Sequence, residues 1–262
     1  MTLFDDDAEA ASSIEYPARV RMTLAYDGRG FHGFAAQERV KTVGGTLAAA
    51  IRKVLGHPVE LTCAGRTDRG VHAWGQVVSF DAEEFGLDLH GLQRSLNRML
   101  GPSIVIRAAE TASADFDARF SAKARRYRYT VLNRPVPDPF LAGFSWYIEQ
   151  PLDCGALALA CDPVIGEHDF SSFCRLPSDD VSLIRRVHDA RWLDTGEGVL
   201  RFEIEASAFC HQMVRSLVGT MVDIGRGRKR AGDLAGILRA QDRSVASQPA
   251  PPHGLCLWGV LY

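Results

Sequence analysis

Residues 61–81 read LTCAGRTDRGVHAWGQVVSFD, and the rest of the chain is best approached outward from this stretch. Val59, Leu61 and Cys63 alternate with polar neighbours on the way in, and Val77, Val78 and Phe80 follow on the way out, which predicts two strands. Between them Gly65 and Gly70 bracket Arg66, Thr67, Asp68 and Arg69, with His72 just beyond. Glycines at such places let the backbone take positive φ and let a ligand come close. A hairpin turn needs only Asn-Gly or Asp-Gly, so one carboxylate set among two guanidiniums is more than turn-making requires. A loop of this kind, held between strands, is where functional groups concentrate. The same residues also fit a solvated turn in which Arg and Asp pair at the surface.

The bulk numbers describe an ordinary globular chain of 262 residues, 46% hydrophobic and 24% charged. No apolar run is long enough for a membrane span. The start, MTLFDDDAEAASS, is acidic and has neither the basic opening nor the apolar core of a secretory signal, and residues 1–17 read as a flexible leader. Six cysteines (Cys63, Cys154, Cys161, Cys174, Cys210 and Cys256) are scattered with no C-x-x-C pair, which predicts reduced thiols in a cytoplasmic protein and no zinc site. Net charge is −2, but the bases are clustered: Arg119 to Arg128, Arg185–Arg186, and the run RGRKR at 226–230. Such a run is either a solvated surface or a nucleic-acid contact.

Along the chain, residues 19–25 alternate as a strand that ends in the turn YDGRG. Residues 42–55 read as a helix with Thr42 as N-cap, its first turn weakened by Gly44 and Gly45. A helix at 88–100 precedes the strand SIVIRAAE. ARRYRYTVL (124–132) alternates strongly, with Arg126, Arg128 and Thr130 on one face and Tyr127, Tyr129 and Val131 on the other. The proline-rich stretch RPVPDPF (134–140) marks a boundary between an N-terminal half, 18–133, and a C-terminal half, 134–262. Beyond it come a strand near 144–148, a helix near 153–161, strands near 186–193 and 200–205, and a long helix from Ala208. In that helix Phe209, Met213, Leu217, Met221 and Ile224 make an apolar stripe, and His211, Arg215 and Gly219 line up off it at intervals of four. Alternating helices and antiparallel-type strands define an α+β class.

GRTDRGVHAWGQVVSFD resembles the active-site signature of the bacterial tRNA pseudouridine synthase A family. Further matches follow in family order: AYDGRGFHGF (25–34), FDARFSAKARRYRYTVLN (116–133), HDFSSFCR (168–175), AFCHQMVRSLVGTMVDIGRG (208–227) and HGLCLWGVLY (253–262). The resemblance covers the chain from about residue 19 to the end. It implies two α/β halves whose mostly antiparallel sheets join into one, with helices packed outside and an active-site cleft between. It also implies an isomerase that turns uridine into pseudouridine at positions 38, 39 and 40 of the tRNA anticodon stem-loop, working as a homodimer.

That reaction detaches uracil at nitrogen, rotates it and rejoins it through carbon, so no redox cofactor and no metal is expected. It needs a carboxylate to attack sugar or base, a pocket that excludes water, and a base flipped out of its stack. The resemblance assigns Asp68 as catalytic nucleophile, Arg215 as the forked partner that holds it ionised, and Tyr127 as the ring that stacks on the uracil and assists proton transfer. It places Leu255 on an apolar pocket wall, where core packing is the other reading, and Arg66 in the gap left by the flipped base. Arg69 stands where the motif commonly has alanine and Phe34 where many members have tryptophan. Arg69, Arg226, Arg228 and Lys229 are expected phosphate contacts. A non-catalytic RNA-binding protein would use the same bases and Tyr127 but has no use for Asp68. An aspartate-dependent phosphotransferase or hydrolase would call for magnesium ligands, usually further carboxylates, and the central loop offers one.

Overall fold

The computed structural model describes residues 17–83, 86–175 and 181–262; the expected leader, apart from Pro17, lies outside the described residues. β1 (Ala18–Tyr26) leads to α1 (Val43–Leu55), β2 (Thr62–Cys63), β3 (His72–Ala82), α2 (Leu89–Leu100), β4 (Ile104–Thr111) and β5 (Ala124–Asn133). Then follow β6 (Trp146–Ile148), α3 (Cys154–Leu159), β7 (Gly166–Asp169), β8 (Ile184–Asp194), β9 (Val199–Ala206), α4 (Met213–Gly225), α5 (Asp233–Ala240) and β10 (Leu255–Leu261).

Period-two alternation decides the layers. In β1 it turns Val20, Met22, Leu24 and Tyr26 inward, and Val20 and Met22 stand opposite Phe80 and Val78 of β3. In β5 it turns Tyr127, Tyr129 and Val131 inward, and Tyr127 lies between Ile204 of β9 and Leu257 of β10. These residues share one sheet face, and the helices cover it. α1 packs on α2 and α2 on β4 toward one end, while α3 packs on α4 and on β8 toward the other. Each fully buried Leu, Ile, Phe or Met in this layer contributes about 1.5–3 kcal/mol relative to exposure. On the opposite face a small cluster of Ala64, Val77 and Ala118 is covered by Phe116, Val260 and Tyr262.

The sheet runs β4-β1-β3-β10-β5-β9-β8-β7, with β2 on β3 and β6 on β5. Its pairings are antiparallel except β3 with β10 and β5 with β6. The last strand therefore inserts beside the strand that follows the Asp68 loop, and β5, which precedes the proline stretch, is flanked by β9 and β10 from beyond it. One continuous sheet built from both halves of the chain, with helices outside, is the α+β architecture expected.

The expected cap Thr42 is present, accepting from the Gly45 N–H, and Asp88 and Asp153 likewise cap α2 and α3 by accepting from the N–H of Gly91 and Ala156. Gly44, read as a weak point of α1, is demanded by packing, because a Cβ there would stand 2.7 Å from the Phe34 carbonyl oxygen. The long helix does not begin at Ala208. Gln212, at φ 66°, turns the chain so that α4 starts at Met213 and leaves Phe209 and His211 in the approach to it. Nor is α4 buried along one stripe only: Val214, Ser216, Val218, Thr220 and Val222 are buried as well as Met213, Leu217 and Met221. β7 and α5 were not anticipated, being short and, in GEHD, polar.

Candidate active site

The loop after β2 is held from beneath by polar groups inside the apolar layer. Gln76 of β3, fully buried, donates to the Gly65 carbonyl at 2.6 Å and to the Tyr26 hydroxyl at 3.4 Å. Tyr26 shares a 2.7 Å hydrogen bond with Thr67, and the Thr67 carbonyl accepts from the Phe34 N–H at 3.0 Å. The Val71 N–H donates back to the Asp68 carbonyl at 3.1 Å, closing the turn, and Gly70 takes the positive φ (78°) the sequence predicted; Gly65 does not. Only one of the two bracketing glycines is thus used for its backbone freedom.

This support presents Asp68, partly exposed, to α4 and the approach to it. Arg215 Nη1 lies 3.5 Å from Asp68 Oδ2, and His211 Nε2 lies 3.4 Å from Oδ1. Contacts in catalytic centres are often this long without substrate and tighten in the complex. Arg215 is largely buried and its Nε donates to the Ala250 carbonyl at 2.7 Å, whereas the imidazole of His211 is exposed. The carboxylate therefore has one fixed cation on one oxygen and one displaceable ring on the other.

Tyr127 forms the wall. It is 7% exposed and edge-on to Phe209, with ring centroids 4.9 Å apart. Its hydroxyl points toward the start of the loop: a Cβ on Gly65 would be 3.7 Å from it. Burial, with the Asp68 charge adding to it, pushes the phenol well above the usual tyrosine range. No hydrogen bond to that hydroxyl is formed among the described residues. Leu255 is buried opposite Tyr129, and Leu257, which the sequence reading did not single out, is opposite Tyr127 and within 3.9 Å of a Cβ on Gly65. Arg66 and Arg69 are exposed on either side of Asp68.

The fold thus brings Asp68, Tyr127 and Arg215 together with Arg66 and Arg69 beside them. It does not bring Arg226, Arg228 and Lys229 there. They sit at the far end of α4, roughly 16 Å along its axis from Arg215 at about 1.5 Å per residue. Arg228 is 3.1 Å from Asp223, Arg226 lies over the Trp146 ring, and Lys229 donates to the Val245 carbonyl. Arg126 and Arg128, in the other basic cluster, pair with Glu205 and Glu203 of β9. Besides Leu257, three contributors were missed: His211, Gln76 and Tyr26. The signal for Gln76 was present, a polar residue inside an apolar strand; for His211 the spacing of four from Arg215 was no guide, because His211 lies outside α4.

A loop carboxylate 3.5 Å from an arginine, with a buried tyrosine near it and exposed guanidiniums at 66 and 69, suits an enzyme acting on an anionic, ring-bearing substrate. The tRNA pseudouridine synthase family model matches residues 22–121 and 160–262, and the chain belongs to that family, whose members are isomerases. It is 43% identical over 244 residues to a tRNA pseudouridine synthase A of Aromatoleum aromaticum, covering 93% of this chain and 92% of that one. It is 38% identical to one of Brevibacillus brevis, covering 93% and 99%, and 40% identical to one of Dechloromonas aromatica, covering 93% and 92%.

Proposed function

We propose that this protein isomerises uridine to pseudouridine in the anticodon stem-loop of tRNA, at positions 38, 39 and 40, with Asp68 as nucleophile. The observation that carries the reading is the placing of the Asp68 carboxylate between Arg215 and His211, near enough to Tyr127 for its charge to act on the phenol. In the reaction the bond from ribose C1′ to N1 breaks and a bond from C1′ to C5 forms. The C5 proton leaves and a proton is taken up at N1, so nothing is gained or lost overall. Asp68 holds the detached fragment covalently or by charge while the base turns. Arg215 keeps that carboxylate aimed. Tyr127 stacks on the flipped pyrimidine, and its phenol is within reach as acid or base. Leu255 and Leu257 exclude water that would hydrolyse an intermediate.

Arg66 and Arg69 are the guanidiniums that meet RNA at the target nucleotide, with Arg66 filling the gap left by the base. Arg226, Arg228 and Lys229 meet phosphates farther along the tRNA. The enzyme is read as a cytoplasmic homodimer. The test is purified protein with a tRNA transcript, followed by mapping of pseudouridine, with Asp68→Asn in parallel. Pseudouridine at the anticodon arm with wild type, and none with Asp68→Asn at unchanged tRNA affinity, is expected. A tenth of wild-type activity left in Asp68→Asn would remove the nucleophile assignment.

A further inference from the structure

Asp68, Tyr127 and Arg215 come from three separate segments, and a single side chain touches the backbone of the segments that carry the other two. Arg125 precedes Tyr127 by two residues, so it projects from the same face of β5. Its Nε and Nη2 donate to the Ala64 carbonyl at 3.1 and 3.0 Å, just before Gly65 of the Asp68 loop. Its Nη1 donates to the Ser207 carbonyl at 2.9 Å, at the start of the stretch that holds Phe209, His211 and Arg215. The remaining bonds go to the carbonyls of Ala122 at 3.1 Å and Arg119 at 2.6 Å. A guanidinium has five N–H donors in a rigid fork, and here all five are given to main-chain carbonyls. Burial disfavours the charged form, so this cation is desolvated to do so.

We propose, resting on the function read above, that Arg125 is a positioning residue: it clamps the Asp68 loop and the approach to α4 onto β5. It thereby sets the distance from Asp68 to Arg215 and His211. Although it belongs to the basic run 119–128, no donor is left over for a phosphate. Lysine keeps the charge but offers three donors from one atom and cannot span four carbonyls.

The experiment compares wild type with Arg125→Lys and Arg125→Gln, the lysine variant being the one that keeps the charge should the glutamine variant fold poorly. Turnover at saturating tRNA is expected to fall about a hundredfold in the glutamine variant and by less in the lysine variant, since small misplacements of reacting groups have effects of that size. KM for tRNA and its salt dependence are expected to stay as in wild type. Amide hydrogen exchange is expected to rise together in residues 65–71 and 207–212 and to stay unchanged in α1 and α2. Unchanged turnover, with KM raised and the salt slope reduced by about one, would make Arg125 a phosphate contact and overturn the clamp. A lowered melting temperature with full turnover per folded molecule, or exchange that rises in only one segment or neither, would overturn it as well. A wild type that forms no pseudouridine would refute the functional reading instead, and the exchange measurement would still decide the clamp.

Discussion

Arg215 grips Asp68 with one arm of its guanidinium and the backbone with the other. Nη1 stands 3.5 Å from Asp68 Oδ2 while Nε donates to the Ala250 carbonyl, and the Ala250 N–H donates back to the Arg215 carbonyl at 2.9 Å. The cation proposed to orient the nucleophile is thus itself oriented by residues just ahead of β10. Lysine would keep the charge and lose the fork. Arg215→Lys should therefore lower turnover about a hundredfold while tRNA affinity stays within about threefold, since affinity rests on other cations. Because the two residues act as a unit, Asp68→Asn with Arg215→Lys should be no slower than Asp68→Asn alone. Single-turnover kinetics on the three variants decides this; additive losses would show that the pair is not coupled.

Gly219 lies one helical step beyond Arg215, and a Cβ there would be 2.0 Å from the Gln248 carbonyl oxygen and 3.3 Å from the Ala250 nitrogen. The close approach of the 248–250 segment to α4 is what brings the Ala250 carbonyl to Arg215. Gly219→Ala should displace that segment, destabilise the protein by about 1–3 kcal/mol, and reduce turnover along with it. Gly236→Ala in α5, where a Cβ meets open space, should stabilise by about 0.5–1 kcal/mol and leave turnover alone. Denaturant melts of both variants check the contrast, and equal effects would mean that close approach is not what selects glycine at 219.

What could be read ahead of the structure divides along physical lines. Local patterns carried far: alternation at 124–132 told which face of β5 is inside, Thr42 caps α1 as read, and α2 and α3 begin where the pattern put them. The same alternation puts Arg125 on the tyrosine face, a signal that the basic run obscured. Insertion of β10 between β3 and β5 was illegible, because pairing across nearly two hundred residues leaves no local trace. The start of α4 was misplaced because Gln212 adopts a left-handed backbone that no periodicity encodes. Hence His211, lined up with Arg215 as if on one helix, reaches Asp68 from outside it.

Tyr127→Phe separates the two roles given to that ring. The hydroxyl forms no hydrogen bond among the described residues, so its removal should change folding stability by less than about 0.5 kcal/mol. The ring proposed to stack on the base remains, so tRNA affinity should hold. Turnover should nonetheless fall by about a hundredfold, the usual size of an acid–base contribution. Wild-type turnover in this variant would confine Tyr127 to stacking.

His72 links stability to pH. Its Nδ1 accepts from the Gly28 N–H at 3.1 Å, and Nε2 donates to the carbonyls of Gly143 and His253 at 3.2 and 3.1 Å. Burial holds the imidazole below the usual histidine range, against the pull of nearby Asp27. A histidine kept neutral binds fewer protons folded than unfolded. Its contribution is therefore complete above the unfolded value of about 6.5 and declines as pH falls through it toward the depressed folded value. Urea melts at about pH 7.5 and pH 5.5 should show wild type losing more stability than His72→Gln over that interval. Parallel losses would show that another group governs acid sensitivity.

The basic cluster at the far end of α4 supplies a test of where tRNA lies. Arg228 and Lys229 are turned to solvent in part, and their partners are a carboxylate and a carbonyl that phosphates can displace. They stand too far from Asp68 to touch the reacting nucleotide. Reversing both to glutamate should weaken binding of full-length tRNA, and it should lower the slope of log affinity against log salt by about two, one for each phosphate contact removed. Turnover at saturating tRNA should be unchanged. On a short anticodon stem-loop, should that be a substrate, the same variant should bind as wild type does if, as proposed, the cluster meets phosphates beyond that arm. Equal weakening on both RNAs would move the cluster to the stem-loop itself, and no weakening on either would leave Arg228 and Lys229 as a solvated helix end.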